Sequence, residues 1–164
     1  MKRFVIGILI AACFAFGAAA QGRSGTSLGL FAGADAPGSS TANIASDGQL
    51  HLNWGFFVNL PLLQTFHIAP SAELYRFQAS NATDFDIAFK FIVPLSNFGV
   101  FVGVSPGLTT LNALTAPHVG ILGGATFGLV SNLDFFAMAK YTVVFDNTQN
   151  ASVVHANAGI LFYF

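Results

Sequence analysis

Residues 153–164 read Val-Val-His-Ala-Asn-Ala-Gly-Ile-Leu-Phe-Tyr-Phe, and this stretch decides the fold. In an extended chain successive side chains point to opposite sides. Val154, Ala156, Ala158, Ile160, Phe162 and Phe164 therefore share one face, and His155, Asn157, Gly159 and Tyr163 share the other. One face is apolar throughout while the other is polar or small, the alternation expected of a strand lying between two different media.

Seven further stretches alternate in the same way, at residues 27–35, 49–60, 66–79, 84–93, 98–108, 118–130 and 134–146. The second sets Leu50, Leu52, Trp54, Phe56 and Val58 against His51, Asn53, Gly55, Phe57 and Asn59. The fourth sets Phe85, Ile87, Phe89, Phe91 and Val93 against Asp84, Asp86, Ala88 and Lys90. Most have the roughly 9–11 residues that a tilted strand needs to cross a bilayer. Pro70 and Pro106 fall inside two of them, where a missing N–H predicts a bulge or a strand end, and Gly123-Gly124-Ala125 predicts a bend.

Composition points the same way. Only 8% of the chain is charged and 54% is hydrophobic, against roughly 25% charged in a soluble domain. After the first twenty residues no apolar run approaches the ~18 residues of a membrane helix. High hydrophobicity dispersed over alternate positions is the mark of a lipid-facing β-barrel. The expected architecture is an all-β, eight-stranded antiparallel up-and-down transmembrane β-barrel filling residues 21–164.

Met1 to Ala20 reads as a cleavable export signal, with Lys2 and Arg3 before an apolar run that ends in Gly17-Ala18-Ala19-Ala20. The run is too short to anchor a helix in a bilayer. A lipoprotein-like box at Ile10-Ala11-Ala12-Cys13 is the competing reading and would leave Cys13 lipidated. With Cys13 removed, no cysteine remains for a disulfide framework. Beyond the signal, Arg23, Arg76, Lys90 and Lys140 face seven acidic residues, a negative balance that gives nucleic acid no basic patch to bind.

The connections alternate in length. Those at residues 61–65, 94–97 and 131–133 are tight, and those at 36–48, 108–117 and 147–152 are longer and more polar, with a short one at 80–83. Outer-membrane barrels have short periplasmic turns and longer extracellular loops. Both termini then belong in the periplasm, and Phe66, Phe98, Phe135 and Phe164 form an outward aromatic girdle there.

On these segments, and on the ending Ile160-Leu161-Phe162-Tyr163-Phe164, the chain resembles the eight-stranded outer-membrane barrels of the OmpA and OmpX type, and more loosely the OmpW group. The resemblance covers residues 26–164 and rests on pattern. It implies insertion into the outer membrane as a monomer, with Phe162, Tyr163 and Phe164 as the signal read by the assembly machinery. The chain departs from OmpA in carrying no peptidoglycan-binding domain after the barrel and fewer interior charges.

Charges within a membrane segment face the interior and pair there. A turn at residues 81–82 would set Glu73 opposite Lys90, with Asp86 and Lys140 as the next inward charges. This lumen network reads as structural ion pairing in a filled interior, or as a polar plug or gate for small solutes. Inward glycines repeat at four-residue steps, Gly99, Gly103 and Gly107 beside Gly120, Gly124 and Gly128. They make room for inward rings such as Phe31, Phe57, Phe101 and Phe136, or else line a hollow groove.

His51, His67, His118 and His155 lack short ligand spacing and read as polar lumen residues rather than metal ligands. Ser71 and Glu73 share a face with His67, but no His-x-Ser element of the lipid A deacylase kind is present, so no enzyme activity and no cofactor are expected. Asn81-Ala82-Thr83 and Asn150-Ala151-Ser152 match glycosylation acceptors and read instead as polar loop tips. A structural or surface-interaction role is the leading functional expectation, exerted through loops such as 36–48 toward an extracellular partner. A narrow channel or carrier for small or hydrophobic solutes is the alternative. A soluble periplasmic ligand-binding barrel would need polar outer faces, and Trp54, Phe89, Phe91 and Val102 oppose it.

Overall fold

The computed structural model describes residues 25–38, 50–77, 80–95, 98–111, 114–145 and 150–164. Eight strands follow one another: β1 (Ser27–Pro37), β2 (His51–Pro61), β3 (Phe66–Phe77), β4 (Ser80–Leu95), β5 (Phe98–Leu111), β6 (Leu114–Val130), β7 (Leu133–Val144) and β8 (Ala151–Tyr163). Each pairs antiparallel with its sequence neighbours, and β8 returns to β1 from Ser27↔Tyr163 to Pro37↔Val153. The result is a closed barrel. Closure leaves no sheet edge, so the strand backbones satisfy one another all the way round.

The alternation read in the sequence becomes the two surfaces of this wall. Leu52, Trp54, Phe56, Phe85, Ile87, Phe91, Val102, Val104, Ile121, Phe127, Tyr141, Val154 and Phe162 are exposed on the outside. The positions between them are buried, and many are polar: Asp35, Asn53, His67, Glu73, Asp84, Asp86, Lys90, His118, Lys140, His155 and Asn157. Polar residues inside and apolar residues outside invert the plan of a soluble domain.

The even strand number brings the start of β1 and the end of β8 to the same end of the barrel as the turns at residues 62–65 and 131–132. Outward rings meet across neighbouring strands there. Phe98 and Phe127 lie 5.0 Å apart, Phe127 and Phe135 6.4 Å, and Phe66 and Phe89 6.5 Å.

Several local expectations change. The connections expected at 108–117 and 80–83 are largely strand, because β5 runs to Leu111, β6 begins at Leu114 and β4 begins at Ser80. Asn81-Ala82-Thr83 therefore lies within β4, not at a loop tip, and Ala151 and Ser152 open β8. Pro70 and Pro106 produce neither a bulge nor a strand end. Pro70 keeps its partner Ile87 on β4 while the β2–β3 ladder skips from Phe57↔Ser71 to Leu60↔Ile68. Pro106 keeps Val119 on β6 while the β4–β5 ladder skips from Asp86↔Gly107 to Phe89↔Val104. Each strand residue offers its N–H to one neighbour only, so a proline interrupts one ladder and leaves the register intact.

Pairing also runs unbroken through Gly123, Gly124 and Ala125, and the irregularity of β6 falls between Gly128 and Val130. The expected signal at residues 1–20, with Cys13, lies outside the described residues, as do 39–48 of the first long connection and 146–149 of the last.

The inward glycines stand against rings and polar groups. A Cβ at Gly124 would sit 2.6 Å from Phe101 Cζ, and one at Gly55 2.6 Å from Phe31 Cζ and against the Ala72 carbonyl. Gly55→Ala is expected to lower stability by about 1–3 kcal/mol, because neither the ring nor the strand backbone has room to retreat. Urea unfolding followed by Trp54 fluorescence measures it, and an unchanged midpoint would contradict the tight packing.

Candidate functional site

All eight strands send polar side chains into one half of the lumen, and Lys140 on β7 is the hub. Its Nζ donates to Glu73 Oε2 on β3 at 2.7 Å and to Asp86 Oδ2 on β4 at 3.0 Å, with Asp84 Oδ2 at 3.8 Å. On β8, His155 Nδ1 lies 2.7 Å from Asp35 Oδ1 and 3.1 Å from Glu73 Oε1, and Asn157 Nδ2 donates to Glu73 Oε1 at 3.2 Å. On β6, His118 Nε2 meets Asp86 Oδ1 at 2.5 Å while its Nδ1 meets Thr109 Oγ1 at 2.8 Å. Tyr75 donates to Asp84 Oδ1 at 3.2 Å, and Asn53 Nδ2 donates to Asp35 Oδ1. Such groups tolerate burial only when paired and hydrogen-bonded in this way.

The sequence-predicted charges separate into two sets. Glu73, Asp86 and Lys140 meet. Lys90 does not join them, and its expected pairing with Glu73 is wrong. The β3–β4 ladder runs on to Phe77↔Ser80, past the turn expected at 81–82, so Glu73 stands opposite Asp84, and Lys90 stands opposite His67. Lys90 instead places its Nζ 3.8 Å from the centre of the Phe57 ring and 5.4 Å from that of Phe101, an attraction between a cation and the negative ring face. Of the ending, Phe162 and Phe164 are exposed, while Tyr163 is half-buried and donates its hydroxyl to Asp134 Oδ2 at 3.0 Å.

Asp35, Asp84, His118 and His155 belong to the network although only the inward alternation pointed to them. The spacing of histidines along the chain hid that Asp35, Glu73 and His155, and likewise Asp84, Asp86 and His118, bring potential ligand atoms within 4.8 Å of one another. In both trios a histidine nitrogen already faces a carboxylate, and Lys140 takes further oxygens, so the groups are engaged with each other. Ser71, Glu73 and His67 form no catalytic set: Ser71 donates to Asp86 Oδ2 at 3.4 Å, Glu73 holds Lys140, and His67 Nδ1 accepts from Asn59 Nδ2 at 2.8 Å.

Between this network and the tight-turn end lies an apolar layer. Phe31, Phe57, Phe101 and Phe136 pack with Ala69, Ala88, Leu122 and Leu161. Phe57 meets Phe136 edge-on at 5.3 Å and Phe31 at 6.3 Å. On the network side a void of about 20 Å³ remains among Phe57, Glu73, Asp86, Lys90 and Lys140. On the turn side a cavity of about 350 Å³ is lined by Asn59, Gln64, His67, Lys90, Phe98, Thr126, Asp134 and Tyr163, among others.

The same closed wall recurs in solved structures. The crystal structure of Neisserial surface protein A superposes with a TM-score of 0.73 at 15% identity, covering 88% of this chain and 100% of that one. The fold is that of the small eight-stranded outer-membrane barrels. The N-terminal β-barrel domain of Pseudomonas aeruginosa OprF matches with a TM-score of 0.55 at 14% identity, covering 87% of this chain and all of that one. A de novo designed transmembrane β-barrel matches at 0.56 and 12%, covering 88% and 98%. No protein-family description and no curated protein matches the chain. At such identities the likeness is one of fold, and function is argued from the chain's own residues.

Proposed function

We propose that this chain is an integral barrel of a bacterial outer membrane, with a structural or surface-interaction role, a mostly occluded lumen and no enzyme activity. The observation that carries the reading is the apolar outer face. Leu52 is 83% exposed, Ile121 64%, Val102 61% and Trp54 59%, and comparable side chains surround all eight strands. Water would penalise that surface at roughly 25 cal/mol per Å², whereas lipid does not. A soluble periplasmic barrel has no use for it.

In this reading the tight turns face the periplasm, the β1–β2 and β7–β8 connections belong to the opposite, extracellular end and meet an extracellular partner, and the machinery that inserts barrels reads Phe162, Tyr163 and Phe164. The reading includes no cofactor and no nucleic-acid partner, and the barrel works as a monomer. The ring layer and Lys140 network support occlusion over the channel alternative, since an eight-stranded lumen is just wide enough for its side chains.

Membrane fractionation, followed by gel mobility with and without boiling, tests the reading. Recovery in the outer membrane with faster migration unboiled is expected, and recovery in the soluble periplasm without a mobility shift would overturn it. Steady conductance of the purified protein in planar bilayers would overturn the occluded lumen.

A further inference from the structure

The 350 Å³ cavity, which Asp134 also lines, holds a cation that no carboxylate of the described residues approaches within ion-pair distance. Lys90 is 4% exposed, and among the described residues its contacts are the rings of Phe57 and Phe101, with no carboxylate in ion-pair range. Its cross-strand partner His67, 2% exposed, lines the same cavity. His67 Nδ1 lies 2.8 Å from Asn59 Nδ2, and the ring also hydrogen-bonds the Gln64 backbone. Two adjacent strands thus present, at a wall of aromatic rings, an ammonium with no ion-pair partner and beside it an imidazole held by Asn59 and the Gln64 backbone. A buried ammonium left without a counter-charge is costly, so it persists where something else completes it.

We propose that this cavity is a binding site for a small organic monocarboxylate with an apolar, preferably aromatic, body. The carboxylate pairs with Lys90 Nζ beside His67, and the body lies against Phe57, Phe101 and Phe136. The volume falls at the small end of ligand pockets and suits a single ring or a short chain. Asp134, holding the Tyr163 hydroxyl on the β7 wall, repels a second negative charge and selects against phosphate. The site goes beyond the structural role proposed above and does not depend on it, since binding is measured on the folded barrel in detergent.

The test titrates benzoate, benzyl alcohol and inorganic phosphate into the detergent-folded full-length barrel, following backbone amide NMR shifts at Thr65, His67, Gly99 and Thr126. Benzoate is expected to shift these amides saturably at millimolar or lower concentration. Benzyl alcohol and phosphate are expected to bind at least ~10-fold more weakly, the loss of one charge-assisted hydrogen bond. Lys90→Met should abolish benzoate binding yet unfold at an equal or higher urea concentration than the parent, because it removes an unpaired buried charge and keeps the volume. Gly99→Leu, which enters the cavity from β5 beside Thr126, should also abolish it, and the unboiled gel shift reports that each variant is folded. Absence of benzoate shifts at these amides, undiminished binding in folded Lys90→Met, or phosphate binding as tight as benzoate would each overturn the assignment.

Discussion

Lys140→Met is expected to destabilise the folded barrel by about 3–5 kcal/mol, the cost of breaking a buried ion pair by removing one partner. Three carboxylates lean on this ammonium, Glu73 at 2.7 Å, Asp86 at 3.0 Å and Asp84 at 3.8 Å. Lys140 is itself 4% exposed, and Glu73 and Asp84 are 1% and 0% exposed. Methionine fills the same space, so the effect isolates charge from packing. Water has little access, and the two histidines of the cluster already face Asp35, Glu73 and Asp86.

Urea unfolding in detergent or vesicles, read by the fluorescence of Trp54, measures the loss. A double variant with Glu73→Gln should recover part of it, since one stranded carboxylate is then neutral, and the cycle gives the coupling between the two residues. A loss below about 1 kcal/mol would mean that the carboxylates are not held by Lys140. The contrast with Lys90→Met is diagnostic: two buried lysines on inward faces, one whose removal strands carboxylates and one whose removal strands nothing.

The second large effect is expected from Phe136→Ala, about 3–5 kcal/mol, as for other truncations of a buried aromatic side chain. Phe136 is 1% exposed and meets Phe57 edge-on at 5.3 Å. It lies in the layer dividing the 350 Å³ cavity from the Lys140 network, so truncation leaves a void that the closed wall cannot collapse to fill. The same urea titration measures it. Conductance separates packing from gating: a destabilised but silent barrel assigns Phe136 to packing alone, and new conductance would make the ring layer the barrier to ions. A loss under about 1 kcal/mol would show that the ring lies in a loose interior.

Some of the interior was legible in the chain and some was not, for identifiable reasons. Inward placement of His67, Glu73, Asp86, Lys90, Lys140 and His155 follows from alternation, since a strand has only two faces. The partner of Glu73 does not follow, because it depends on where the hairpin turns. A register that pairs Phe77 with Ser80, in place of the expected turn at residues 81–82, put Asp84 and not Lys90 at the cross-strand position. The actual partner, Lys140, lies 67 residues away on the far side of the lumen. The prolines misled in the other direction. A missing N–H reads in a sequence as a break, but in a sheet it silences one bond on one side.

The sequence by itself determined that eight segments alternate, that the apolar face outweighs any soluble need, and that the wall therefore separates lipid from a polar interior. These are local properties, fixed by the two-residue period of a strand and the solvent each face must meet. Closure of β8 on β1, the gathering of Asp35, Glu73, Asp84, Asp86, His118 and His155 around Lys140, and the isolation of Lys90 above the Phe57 ring were decided only by the tertiary structure. They depend on strand register and on distances across the lumen, which arise when the barrel closes and brings residues far apart in the chain into contact.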